Sequence, residues 1–157
     1  MAIHKIQIND FISIDYELIA IHTSLEDYRL AYFLNQLLAI QLTKNNVNLE
    51  IKSKEGKSSF THFCYEDVKL DIVWNLIENK TSIISFPSGG NGFFESIAMT
   101  SFVLPEFKKA DFILKIENTE SDFQTQKTID TISKIKQVSL VYSIDQNKLK
   151  SKNNLIF

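Results

Sequence analysis

Cysteine, proline, glycine and arginine are all scarce in this chain, and each scarcity removes a class of architecture. One cysteine, Cys64, cannot form an intramolecular disulfide, so a disulfide-stapled secreted fold is excluded and a reducing compartment suits the chain. Two prolines and four glycines leave little material for flexible linkers or low-complexity tracts. Arg29 is the only arginine, and 17 basic against 19 acidic residues give a net charge of −2, too weak a field to draw the protein to nucleic acid or to an anionic membrane. No apolar run approaches the roughly 18–20 residues that cross a bilayer, and the opening "MAIHKIQINDF" lacks the uninterrupted apolar stretch of a secretory signal. The expectation is a cytoplasmic protein without membrane association.

What is present is core material. The 157 residues are 44% hydrophobic and include 12 Phe and 5 Tyr, enough for one well-filled domain over 1–157. "DYELIAIHT", residues 15–23, is apolar on both alternating faces, as an interior strand would be. Ser24 and Asp27 then form a near capping box for a helix over about 25–40, with Leu30, Phe33, Leu34 and Leu37 on its inward stripe. Tyr28 and Tyr32 fall on the opposite side beside Arg29, and are covered either by the long middle segment of this chain or by a partner.

From Asn48 to Val103 the period is two. "NLEIKSKEGKSSFTHFCYED" reads as two strands turning at Glu55-Gly56, and "LDIVWNLIEN", "TSIISF" and "GFFESIAMTSF" continue an antiparallel meander. "DFILKIEN" adds a strand with Phe112, Leu114 and Ile116 on one face. Ser121 and Gln124 make a capping box for a second helix over about 122–136, and "QVSLVYSID" aligns Val138, Leu140, Tyr142 and Ile144 on a last strand. This order specifies an α+β two-layer sandwich: a mainly antiparallel sheet with two helices, ferredoxin-like with inserted hairpins. The apolar Leu155, Ile156 and Phe157 are expected to dock, on their own subunit or on a neighbour.

No complete catalytic motif appears, and no cofactor motif. Glu106 and Asp111 could form a carboxylate pair for acid–base work, but Pro105 fixes φ at the first position of a short helical turn, and Glu106 behind it suits the positive end of that turn. The corner is the preferred reading. The loop Ser88, Gly89, Gly90, Asn91 and Gly92 lacks the Lys-Ser/Thr of a P-loop and precedes a strand, so it reads as a hairpin connection where a ligand could approach the backbone. His62 and Cys64 project from one strand face, yet no CxxC or HxxxH completes a metal site, and none is expected. His22 has no recognisable nucleophile for a partner. Lys134, Lys136, Lys148, Lys150 and Lys152 with Tyr142 raise an RNA-binding alternative, against which the negative net charge weighs.

The stretch "LPEFKKADF", residues 104–112, resembles the Ile-Pro-Glu-x-x-x-Val-Asp-Tyr motif of the bacterial IPExxxVDY family. Pro105, Glu106 and Asp111 match, while Leu104, Ala110 and Phe112 keep an apolar character where the motif has Ile, Val and Tyr. "LEDYRLAYFLN" and "LKSKNNLIF" look like that family's N-terminal helix and C-terminal segment. The resemblance implies a small bacterial domain and assigns no catalytic residue, cofactor or partner. The combined expectation is a non-enzymatic interaction domain, homodimeric through Tyr28, Arg29 and Tyr32 and through Leu155, Ile156 and Phe157. The alternative is a small-molecule site built from the 87–93 loop, Glu106 and Asp111.

Overall fold

The doubly apolar segment Tyr16–Thr23 forms strand β1, and Leu18, Ile19, Ala20 and Ile21 are all fully buried. A strand buried on both faces needs cover on both sides of its sheet, and that requirement organises the molecule. A computed structural model describes residues 16–85, 97–120 and 122–157. In chain order β1 is followed by helix α1 (Asp27–Leu38), β2 (Thr43–Lys44), β3 (Leu49–Ser53), β4 (Gly56–Phe60), β5 (His62–Asp67) and β6 (Ile72–Glu78). Then come β7 (Lys80–Ser85), β8 (Ile97–Phe102), β9 (Phe112–Glu117), helix α2 (Thr125–Ile132) and β10 (Val138–Ser143).

The main sheet has the order β10-β1-β9-β6-β5-β2, and every ladder in it is antiparallel. Taking β1, α1, β6, β9, α2 and β10 as a β-α-β-β-α-β unit, the fourth strand lies beside the first and the third sits between the first and the second. This is the ferredoxin-like split arrangement, extended at one edge by β5 and β2. The hairpins β3–β4 and β7–β8 form separate two-stranded sheets, so the middle segment is not one continuous meander: β9 separates β6 from β1 instead. The stretch expected to hold two strands holds three, because the chain breaks at Thr61 between β4 and β5.

One sheet face carries the helices. Ile19, Ile21, Trp74, Leu76, Phe112, Leu114 and Ile116 pack there with Leu30, Ala31 and Leu34 of α1 and Ile129 and Ile132 of α2. Burying that many large side chains supplies most of the driving force, at about 1.5–3 kcal/mol each. The inward stripe of α1 is rotated from the expected one: Ala31 is buried, whereas Leu37 is 43% exposed. The helix begins at Asp27 with Glu26 in the capping position rather than Ser24, since Thr23 Oγ1 accepts the Leu25 N–H and the chain is still turning there. It ends at Ala39, a non-glycine residue in the left-handed region at φ 54°.

The other face has a second core. Leu18, Ala20, Ile77 and Ile113 meet Leu49 and Phe60 of the β3–β4 hairpin, Val103, Leu104 and Ala110 of the connection to β9, and Leu149 and Leu155 near the end of the chain. On β10 the expected row Val138, Leu140, Tyr142 and Ile144 does not share a face. The pairing with β1 slips by one residue beside His22 and Thr23, so Val138 joins Val141 on the helix side while Leu140 stays 51% exposed.

Candidate functional site

Asn79 explains what the corner at 104–111 is for. This residue is wholly buried between β6 and β7, where its Nδ2 donates to the carbonyls of Phe107 (2.9 Å) and Ala110 (3.0 Å) and its Oδ1 accepts from Leu104 N (2.9 Å). Its backbone donates to Asp111 O and accepts from Val103 N. Pro105 opens the short helical turn Pro105–Phe107. Glu106 accepts from Lys150 N (2.6 Å), Ser151 N (2.9 Å) and the Ser151 hydroxyl (2.6 Å), which fastens the end of the chain. Burial pushes the Glu106 carboxyl up, but these donors outweigh it and hold the group below the usual carboxylate range. Asp111 accepts from Thr23 N (2.9 Å) and pairs with Lys80 (2.8 Å), tying β1 to β7. Among the described residues Glu106 and Asp111 share no partner, and each carboxylate is engaged by a different backbone segment.

The remaining expected sites fall as follows. Ser88, Gly89, Gly90, Asn91 and Gly92 lie outside the described residues. Tyr28 and Tyr32 are 61% and 57% exposed, and Arg29 beside them is exposed, so the described part of the middle segment does not cover them. Leu155 docks on its own chain, buried in the second core, and Ile156 and Phe157 after it are exposed. Those two lie with the second core, whereas α1 covers the opposite sheet face, so the two expected contact patches do not merge. His22 Nε2 lies 3.2 Å from Tyr142 Oη, and no carboxylate among the described residues bonds the ring. Tyr142 is half-buried, with the rings of His22 and Phe107 tilted beside it.

The chemistry gathers elsewhere. On the second face, register sets Cys64 opposite Asn75 and Asn75 opposite Lys115, with Val73 opposite Glu117 one row further. The segment running from Asn45 to Glu50 stands over the row, leaving an open cleft of about 570 Å³. Its walls include Val47, Leu49, Val73 and Phe157. Its floor is a directed hydrogen-bond chain. Asn45 Nδ2 meets His62 Nδ1 at 2.9 Å, His62 Nε2 meets Asn75 Oδ1 at 2.9 Å, and Asn75 Nδ2 donates to Glu117 Oε2 at 3.2 Å.

Because Asn45 offers an amide hydrogen to Nδ1, this arrangement holds His62 as the neutral tautomer protonated on Nε2. Burial lowers its pKa first, only partly countered by the Asn75 bond and the Glu117 charge, which is consistent with that form. Burial, then Glu117 and Glu66, push the Cys64 thiol up, so it is held protonated at neutral pH. Lys115 is 5% exposed and donates to Glu117 Oε1 and, at 2.8 Å, to Leu155 O. Its ammonium also lies 4.7 Å from the Phe157 ring centre and 5.1 Å from that of Tyr16. Among the described residues no group of three His, Cys, Asp or Glu side chains is placed to hold a metal ion.

Asn75, Asn79, Lys115 and Glu117 were not among the residues singled out from sequence. A signal existed for two of them: ahead of their terminal glutamates, "IVWNLIE" and "FILKIE" are apolar on both faces except at Asn75 and at Lys115. A lone amide or ammonium in the middle of such a strand must be satisfied by neighbours it calls into the core. No helix among the described residues is long and apolar enough to cross a membrane. Comparison of the chain with family models, with curated proteins and with solved structures finds no match.

Proposed function

We propose that this chain is a non-enzymatic, cytoplasmic binding domain that holds a small ligand in the cleft on β5, β6 and β9. The observation that carries the reading is convergence: His62, Asn75 and Glu117, from three adjacent strands, meet at the floor of one concave site with apolar walls. A volume of about 570 Å³ suits a small organic molecule. A catalytic role is disfavoured because both His62 nitrogens are engaged by Asn45 and Asn75, and the neighbouring thiol is held protonated. The IPExxxVDY resemblance, carried by Pro105, Glu106 and Asp111, then concerns the scaffold: those residues clamp the connection to β9 and the end of the chain, away from the ligand.

The cleft makes a direct demand on fragment screening by protein NMR. Binders should shift the amide and side-chain signals of His62, Asn75 and Glu117 together, and Val73→Trp, which fills the cleft from a half-buried wall position, should abolish those shifts. Binders that perturb other surfaces and ignore the Trp substitution would end the reading.

A second reading concerns assembly and rests on the exposure of Tyr28 and Tyr32 one turn apart on α1, beside Arg29. Aromatic and arginine side chains of this kind anchor contacts between proteins, here between two copies of the chain. The Tyr28→Ser, Tyr32→Ser double variant should sediment as a monomer at concentrations where the parent chain is dimeric. A parent chain that is itself monomeric removes this part of the proposal without touching the cleft.

A further inference from the structure

Resting on the ligand reading of the cleft, we infer that the molecule it selects is a protonated amine carried on a compact apolar body. The hydrogen-bonding inventory of the floor points that way. Lys115, the cation nearest the floor, is closed to an incoming anion: it is 5% exposed, donates to Glu117 Oε1 and Leu155 O, and faces the rings of Tyr16 and Phe157. Among the described residues the charged side chains that line the cleft itself are Glu50 and Glu117, and Lys57 reaches Glu50 from outside it at 2.7 Å. Among the described residues an anion would therefore meet carboxylates with no open cation to receive it.

Acceptors, by contrast, remain open. Glu117 takes one donor on each oxygen, Asn75 on Oε2 and Lys115 on Oε1, and a carboxylate has about four acceptor positions. Asn45 uses its amide nitrogen toward His62, and Asn48 uses its own toward Ser59 Oγ at 3.1 Å, and neither side-chain carbonyl oxygen is bonded by another described residue. A primary ammonium has three donors and no acceptor, and so complements a floor of this kind. Val47, Leu49 and Val73 supply the apolar surface for its body, and the Phe157 ring, already beside one ammonium, favours a second cation over an anion.

Cys64 lines the same cleft and is the only cysteine, so it reports occupancy without any substitution. Its alkylation by N-ethylmaleimide, followed by mass spectrometry at mildly alkaline pH, would be measured with phenethylamine, 3-phenylpropionate and 2-phenylethanol, which share a ring and differ in charge. Phenethylamine is expected to slow labelling about tenfold at about ten times its Kd, with the acid and the alcohol having little effect at equal concentration. Glu117→Gln should weaken amine protection about tenfold, and Glu50→Gln, on the exposed hairpin, should weaken it less. Protection by the acid or the alcohol as good as that by the amine would overturn the amine assignment and leave the cleft as a ligand site. Protection by none of the three would overturn both. Amine protection unchanged in both glutamate variants would place the amine away from these carboxylates and overturn the assignment as well.

Discussion

Replacing Asn79 with alanine is expected to lower stability by about 3 kcal/mol, although the residue touches neither the cleft nor the exposed face of α1. The side chain makes three hydrogen bonds from a fully buried position. Their loss is uneven. Phe107 O keeps a second donor in Ala110 N, so it remains satisfied, whereas Leu104 N and Ala110 O are left facing the space vacated by the amide. Two stranded buried groups at about 1–3 kcal/mol each set the scale. A domain of this size should then melt about 10 °C lower, since each kcal/mol shifts Tm by about 2–4 °C. Asn79→Asp is the sharper version: an ionised carboxylate would hold one oxygen against the carbonyl oxygens of Phe107 and Ala110, where the amide now donates, so the variant should be unfolded at neutral pH. Its protonated form recovers one donor, so unlike the parent chain it should gain stability on mild acidification. Urea unfolding of the two variants across pH decides the matter. An alanine variant within about 1 kcal/mol of the parent would show that the corner 104–111 holds itself.

Why the strand and helix order was legible and this residue was not is a question of range. β1, β9 and α1 announce themselves because alternation and helical spacing are local properties of the sequence, fixed by which side chains must leave water. The corner was legible at Pro105 and Glu106 because a proline before a glutamate constrains its own turn. Asn79 acts instead through partners 25–31 positions away along the chain. The cleft is of the same kind. His62 and Cys64 stood out as a pair on one strand face, and they do share that face, but their neighbours there come from β6 and β9, whose positions depend on strand order. A reading that had ranked lone polar residues within doubly apolar strands would have reached Asn75 and Lys115. It would not have joined them, since the sheet places β9 between β6 and β1 only after the split topology is known. The slip beside Ser139 misled for a related reason: a one-residue irregularity inverts which side chains share a face, and nothing in "VSLVYS" marks it.

Lys115→Met should have two effects of opposite sign, which makes it the more discriminating substitution at the cleft. Methionine keeps much of the stem volume that lysine buries, so packing changes little and the loss is electrostatic. Glu117 loses the ammonium at its Oε1, and Leu155 O loses its donor. Breaking a buried ion pair by removing one partner costs about 3–5 kcal/mol, but the Glu117 side chain is 32% exposed and water can recover part of its solvation, so about 2 kcal/mol is expected. Adding Glu117→Gln should return about half of that, because the carboxylate left without its cation is then removed as well. Hydrogen exchange near Leu155 and Phe157 should quicken in Lys115→Met, since the carbonyl and ring held by the ammonium are released together. Ligand binding should move the other way. With Lys115 gone, Glu117 has its Oε1 free for an incoming ammonium, and phenethylamine should bind about threefold more tightly, the scale of a part-exposed ion pair. If the cleft instead recognised an anion through Lys115, the same substitution would abolish 3-phenylpropionate binding and leave the amine indifferent. Stability measured by urea unfolding and affinity measured by Cys64 protection, on one variant, separate these cases.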